Sequence, residues 1–163
     1  MAPELLDNRG TGHRREGGHW RGRVGDTWWF FVTGASTDEV WNAYLTHCKA
    51  MLDSGVERPS LICICHRAEP PTAVQRRLIA DFIKAEAVRL SSLVGFALVL
   101  DSPLHIFALR AINWIVRKPF PETVCGSRRD AVLWLAGRGV RIEAPVLTES
   151  LERQVPGRYL RVS

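Results

Sequence analysis

The chain has 163 residues, enough for one domain with a closed core. Its 46% hydrophobic and 24% charged residues are ordinary globular values and exclude wholesale disorder. The net charge of +5 sits in the last third, where residues 101–163 hold ten basic against six acidic side chains, giving +4; this favours an acidic partner, nucleic acid or a membrane surface without choosing among them.

Residues 1–25 contain six glycines, five arginines and little aliphatic character after Leu6, the composition of a flexible lead-in. The start has no apolar stretch of the secretory kind, so a reducing, cytoplasmic setting is expected. Trp28-Trp29-Phe30-Phe31-Val32 then has the length and composition of a strand, ending at Thr33-Gly34. Ser36 and Glu39 form a capping box for a helix whose apolar positions are Trp41, Tyr44, Leu45, Cys48, Met51 and Leu52, stopped by Gly55. Leu61 to Cys65 make a second strand, closed by His66-Arg67. Pro70-Pro71 break the chain, and Thr72 caps a helix to about Leu90 with the stripe Val74, Leu78, Phe82 and Ala85, leaving Gln75, Arg76, Asp81, Lys84 and Arg89 outside.

Leu93 to Leu100 form a third strand, apolar throughout as expected where both faces are covered. Ser102-Pro103 open a helix to Arg117, stopped by Pro119. Thr123-Val124-Cys125 is a fourth strand, and Arg129 to Leu135 a helix ended by Gly137. Beyond Gly139 the pattern allows a short helix at Thr148 to Val155 and an edge strand at Arg158 to Val162, or a docked tail without regular structure. Strands alternating with helices predict an α/β fold, a single small, mainly parallel sheet of four to five strands. The division is a lead-in over 1–25, a domain over 26–139 and a tail over 140–163.

The helix after Ser102-Pro103 is unusually apolar. Over residues 104–116 only His105, Arg110 and Asn113 are strongly polar, and Arg110, Asn113 and Arg117 share one narrow arc with Ile106. Something should cover such a helix, and four coverings are compatible with it: a second copy or another protein, an apolar ligand, a peripheral membrane contact, or the chain's own tail. The candidate interaction surface is Ile106, Leu109, Arg110, Asn113, Trp114 and Arg117. A membrane span over 93–116 is disfavoured by Asp101, Ser102-Pro103, His105 and Arg110, since a central charge costs roughly 3 kcal/mol on insertion scales.

Catalytic signals are weak. Val32-Thr33-Gly34-Ala35-Ser36 looks like the opening of a short-chain dehydrogenase, but Thr37, Asp38, Glu39 and Val40 follow where further glycines should be. The Tyr-x-x-x-Lys pair is missing too, because Cys48 stands four residues after Tyr44. Strand ends offer Ser36 and Thr37, His66 with Arg67 and Glu69, and Asp101 with Ser102, in principle a hydrolytic set; no Gly-x-Ser-x-Gly elbow accompanies them, and helix capping explains the serines. The four cysteines follow no disulfide or zinc spacing, and Cys63 and Cys65 share one strand face, as buried thiols or as a metal or redox pair. His13, His19 and His47 show no metal spacing. No cofactor is implied, and basic residues do not alternate with exposed aromatics as a nucleic-acid platform would require.

Gly34 after an aromatic strand, PPTAVQRRL (Pro70 to Leu78), VGFALVLDSPL (Val94 to Leu104), Trp114 and AVLWL (Ala131 to Leu135) together resemble the STAS-like domains, the anti-sigma-factor-antagonist fold, in their SpoIIAA-like branch. The resemblance covers about residues 27–137 and rests on spacing and hydrophobicity. It implies a small sheet with alternating helices and a non-enzymatic, bacterial signalling role through protein partners, or ligand binding. The antagonists' Asp-Ser-Ser-Gly-like phosphoserine motif is replaced here by Glu69-Pro70-Pro71-Thr72. Thr72, the one hydroxyl at that helix start, is therefore the candidate phosphosite or anion site, with Arg67 and Arg76 nearby in sequence.

Overall fold

The computed structural model describes residues 18–161. Strand β1 (Gly18–Val24) turns at Gly25, whose φ of +57° suits glycine, and returns antiparallel as β2 (Thr27–Gly34). Helix α1 (Asp38–Asp53) leads to β3 (Ser60–Ala68), and α2 (Ala73–Ala85) with the short α3 (Ala87–Leu90) leads to β4 (Gly95–Leu100). Helix α4 (Pro103–Ile115) leads to β5 (Glu122–Cys125), followed by α5 (Arg128–Gly137), α6 (Ala144–Gln154) and α7 (Gly157–Leu160). The five strands lie in sequence order, β1-β2-β3-β4-β5, and every pair beyond the first is parallel. The expected mainly parallel α/β sheet is borne out.

That order dictates the layering. Right-handed crossovers that always step the same way across a sheet put their helices on the same face. Accordingly α1, α2 and α4 share one face with Phe30, Cys63 and Leu100, while α5 and α6 cover the opposite face with Trp29, Ile62 and Val99. Alternation along each strand splits its apolar residues between the two cores.

The structure corrects the sequence reading in four places. The lead-in expected to reach residue 25 gives way to a strand at Gly18; residues 1–17, with His13, lie outside the described residues. His19 stacks on Phe30 at 5.7 Å between centroids. Glycine is needed within β1, because a Cβ at Gly22 would come within 2.4 Å of the Trp29 indole.

Second, Thr37 rather than Ser36 caps α1, accepting from the Val40 N–H. Ser36 turns inward instead, donating to Gln75 Oε1 (2.7 Å) and accepting from Trp41 Nε1 (2.7 Å).

Third, the buried stripe of α2 is displaced by one residue. Val74 is 77% exposed and Leu78 also faces solvent, whereas Gln75, expected outside, is only 3% exposed alongside Ile79, Ala80 and Ile83. The cause is the capping box: Gln75 Oε1 accepts from the Thr72 N–H, and its Nε2 donates to Asp38 Oδ1 (2.9 Å) and Ser36 O (3.2 Å). Those bonds satisfy a buried carboxamide and rotate the helix away from its apolar pattern.

Fourth, the tail is helical, and through Arg161 it holds no edge strand; Val162 lies outside the described residues. Leu147, Leu151 and Val155 are buried against the sheet.

Candidate functional site

Two regions stand out, the outer face of α4 and the edge of the sheet where strands β2 to β5 end.

Because α6 and α7 pack on the opposite side of the sheet, the tail does not cover α4. The helix buries His105, Ala108 and Ile112 and leaves Leu104 60%, Phe107 63% and Trp114 90% exposed. Arg110, Asn113 and Arg117 are exposed on the arc the sequence predicted, Ile106 within it is 37% exposed, and Leu109 is half-buried at the cavity behind the helix. Of the outward apolar stripe the sequence reading named only Trp114: Leu104, Phe107, Ala111 and Trp114 recur at intervals of three, four and three, the spacing of a helix-pairing seam. Their intervals were available in the sequence. Among the described residues, no helix is long and apolar enough to cross a membrane.

Behind α4 a cavity of about 70 Å³ lies between the helix and the sheet, lined by apolar groups and by His105. His105 is 4% exposed, and neither ring nitrogen has a hydrogen-bond partner. Cys65 borders the same cavity; its thiol is drawn down chiefly by neighbouring Cys63 and further by His105, while burial opposes this. On α1, burial pushes the Cys48 thiol up to about 12. All four cysteines are free and buried.

At the carboxyl ends of the strands the structure joins several predicted residues. His66 Nδ1 lies 3.1 Å from Asp101 Oδ2, and the Arg67 N–H donates to the same oxygen at 2.8 Å. Arg67 has φ of +46°, a left-handed conformation costly for any residue but glycine and frequent where backbone is held for a purpose. The hydroxyls meant to complete a hydrolytic set serve elsewhere: Ser102 accepts from the Leu104 N–H as the cap of α4, and Thr37 caps α1. Glu69 accepts from the Ser36 N–H at 3.2 Å.

Thr72 and Arg76 do not join this group. The Thr72 hydroxyl accepts from the Gln75 N–H, and Arg76 Nη1 donates to Pro71 O at 3.0 Å. Arg67 lines the strand-end depressions, which neither of them does. Among the described residues, no group of three or more His, Cys, Asp and Glu is placed to hold a metal ion.

No model of a known protein family matches the chain, and no curated protein matches it. Among solved structures, it is similar to the crystal structure of an uncharacterized protein of the DUF3478 family with a SpoIIAA-like fold, from Shewanella loihica PV-4. The two are 18% identical, and the match covers 77% of this chain and 99% of the other with a TM-score of 0.51. The SpoIIAA-like fold expected from the resemblance is therefore borne out.

Proposed function

We propose that this SpoIIAA-like chain is a non-enzymatic interaction module that works by binding protein, its first partner being a second copy of itself through the outer face of α4. The observation that carries this reading is the seam of exposed Leu104, Phe107 and Trp114 around the half-buried Ala111, on a helix face that the tail of the described chain does not cover. The seam is complementary to itself. When two copies of α4 pair antiparallel about a two-fold axis near Leu109, Phe107 faces Ala111, large against small, and Leu104 faces Trp114, apolar against apolar. Isolated apolar patches of this kind mark interaction sites.

One helix face buries well under the roughly 800 Å² per partner of a standard interface, so the pairing is expected to be reversible and concentration-dependent. Trp114 is the expected hot spot, its loss costing about 2 kcal/mol or more. Light scattering coupled to size exclusion, over a wide range of protein concentration, should show the mass climbing from monomer towards dimer. Trp114→Asp and Phe107→Asp should hold the chain monomeric with an unchanged circular dichroism spectrum, while Ile106→Asp, off the seam, should matter less. A wild type that is monomeric at every concentration, or a dimer that survives both seam substitutions, refutes the reading.

The cavity behind α4 supports a second reading, a carrier or sensor of an apolar small molecule with His105 as its polar anchor. Its volume of about 70 Å³ is under half of the ~150 Å³ that holds benzene, so such a ligand would have to push α4 outward. Co-purified ligand seen by native mass spectrometry would favour this reading, and a clean apo mass counts against it.

A further inference from the structure

Three of the four cysteines line the cavity behind α4. Cys63 and Cys65 project from one face of β3, and Cys48 reaches the same space from α1. Strand order brings an imidazole to one of them. Cys65 lies beside Leu100 in the ladder of β3 and β4, and the chain turns back through Ser102 into α4 directly afterwards. His105, in the first turn of α4, is near enough to Cys65 and Asp101 for their charges to act on it. Its ring is 4% exposed, borders the cavity, and has no hydrogen-bond partner on either nitrogen. Buried polar atoms without partners are rare in folded chains. An imidazole left free beside a thiol is placed to take that thiol's proton.

The surroundings of the other three thiols hold them protonated. Burial pushes Cys48 up to about 12 and also raises Cys125. Neighbouring Cys65, then burial, raises Cys63. Cys65 is drawn the other way, by Cys63 and then by His105. The thiolate is the form that reacts, so reactivity gathers at Cys65. The cavity in turn selects the reactant. Its volume of about 70 Å³ exceeds the ~10–15 Å³ that one water needs, yet is under half of the ~150 Å³ that receives benzene. Most of its walls are apolar, which disfavours an ion. A small, uncharged molecule with a reactive bond meets both conditions.

We propose that Cys65 is an oxidisable thiol that meets hydrogen peroxide in the cavity behind α4, with His105 taking and returning the proton. The Cys65 proton passes to His105, and the thiolate attacks one peroxide oxygen. An S–O bond forms as the O–O bond breaks; the departing hydroxide recovers the proton from His105 and leaves as water. Sulfur loses the electron pair that peroxide gains, and the product is a sulfenic acid. Cys63 is badly placed to convert it to a disulfide. Two residues along a strand set Cβ atoms roughly 6.6 Å apart on one face, beyond the ~3.5–4.5 Å a disulfide needs. The sulfenic acid is therefore the species to trap. The site lies on the inner side of α4 and leaves the helix where it is, so it depends neither on self-association nor on carriage of an apolar ligand.

The test is oxidation of the full-length, reduced protein with hydrogen peroxide, stopped at intervals with dimedone and mapped by peptide mass. Cys65 should gain the dimedone adduct at least about tenfold faster than Cys48, Cys63 or Cys125, with an unchanged circular dichroism spectrum. His105→Gln should slow labelling of Cys65 about tenfold or more and move the midpoint of its pH profile upward, which loss of a merely structural contact would not do. His19→Gln, on β1, should leave rate and profile as they are. Cumene hydroperoxide, which carries a benzene ring, should react at least about tenfold more slowly than hydrogen peroxide, judged against the same ratio for free cysteine. If His105→Gln does not fold, the comparison of four thiols and two peroxides in the wild type still decides. Adducts spread evenly over the cysteines, or formed only once the protein unfolds, overturn the proposal. A folded His105→Gln variant with the wild-type rate and profile removes His105 from it, and undiminished reaction with cumene hydroperoxide overturns the placement in the cavity.

Discussion

His47 should make this fold sensitive to mild acid. Its ring lies on α1 with 4% exposure, 5.3 Å from Trp28 and 6.2 Å from Phe30 between centroids, and its Nε2 has no hydrogen-bond partner. Burial, helped by the charge of Arg21, lowers its pKa from 6.5 to about 4. The folded state therefore holds His47 neutral, while the unfolded chain takes up a proton as pH falls through 6.5. Stability from this group is complete above 6.5 and is lost on the way down to about 4, at roughly 1.4 kcal/mol per pH unit. Between pH 6.5 and 5 the loss amounts to about 2 kcal/mol, a large share of the roughly 5–15 kcal/mol that holds a typical domain together. His19, also lowered by burial, acts in the same direction, so the wild-type curve alone does not isolate His47. The comparison with His47→Leu does. Urea unfolding of both proteins at pH 7.5, 6.5 and 5 should show the wild type losing about 2 kcal/mol more than the variant across the lower interval. Parallel stability curves for the two proteins would refute the reasoning.

Two further substitutions probe the packing. Gln75→Leu removes a buried carboxamide whose partners, the Thr72 N–H, Ser36 and Asp38, are then left without it; a loss of about 2–4 kcal/mol in chemical denaturation is expected, although the helix gains an apolar residue. A neutral or stabilising effect would mean that the network does not set the rotation of α2. Leu151→Ala cuts a fully buried side chain from α6 and should cost about 2–5 kcal/mol in a single cooperative transition. If the loss is negligible, or a separate early transition appears, the tail is docked loosely rather than built into the domain.

The sheet was legible because four of its strands are runs of β-branched and aromatic residues long enough to be read without tertiary information. Strand β1 was not, since its glycines and arginines mimic a disordered segment. A local signal was nevertheless present: Trp20, Gly22 and Val24 alternate with Arg21 and Arg23, and Gly25-Asp26 makes a hairpin turn before Thr27. Helix α2 shows the limit of periodicity, because a polar residue satisfied by long-range hydrogen bonds outranks two valid apolar positions, and those partners lie 37 and 39 residues away. The polar arc of α4 was visible, but whether the tail covered the rest depended on which face of the sheet α6 joins. The pairing of His66 with Asp101 depended likewise on β3 and β4 being neighbours in parallel register.

Strand order also sets a schedule for synthesis. As the chain emerges, α1, α2 and α4 are made between the strands they cover, so the Phe30 and Cys63 face can be shielded as the sheet grows. The Trp29, Phe31, Ile62 and Ile64 face has no such companion until α5 and α6 follow, and α6 is complete only at Gln154, about thirty residues after β5 begins. At roughly 5–20 residues per second, a broad apolar sheet surface stands open for a few seconds in the nascent protein. During that interval the growing polypeptide is a natural client for a chaperone at the ribosome exit.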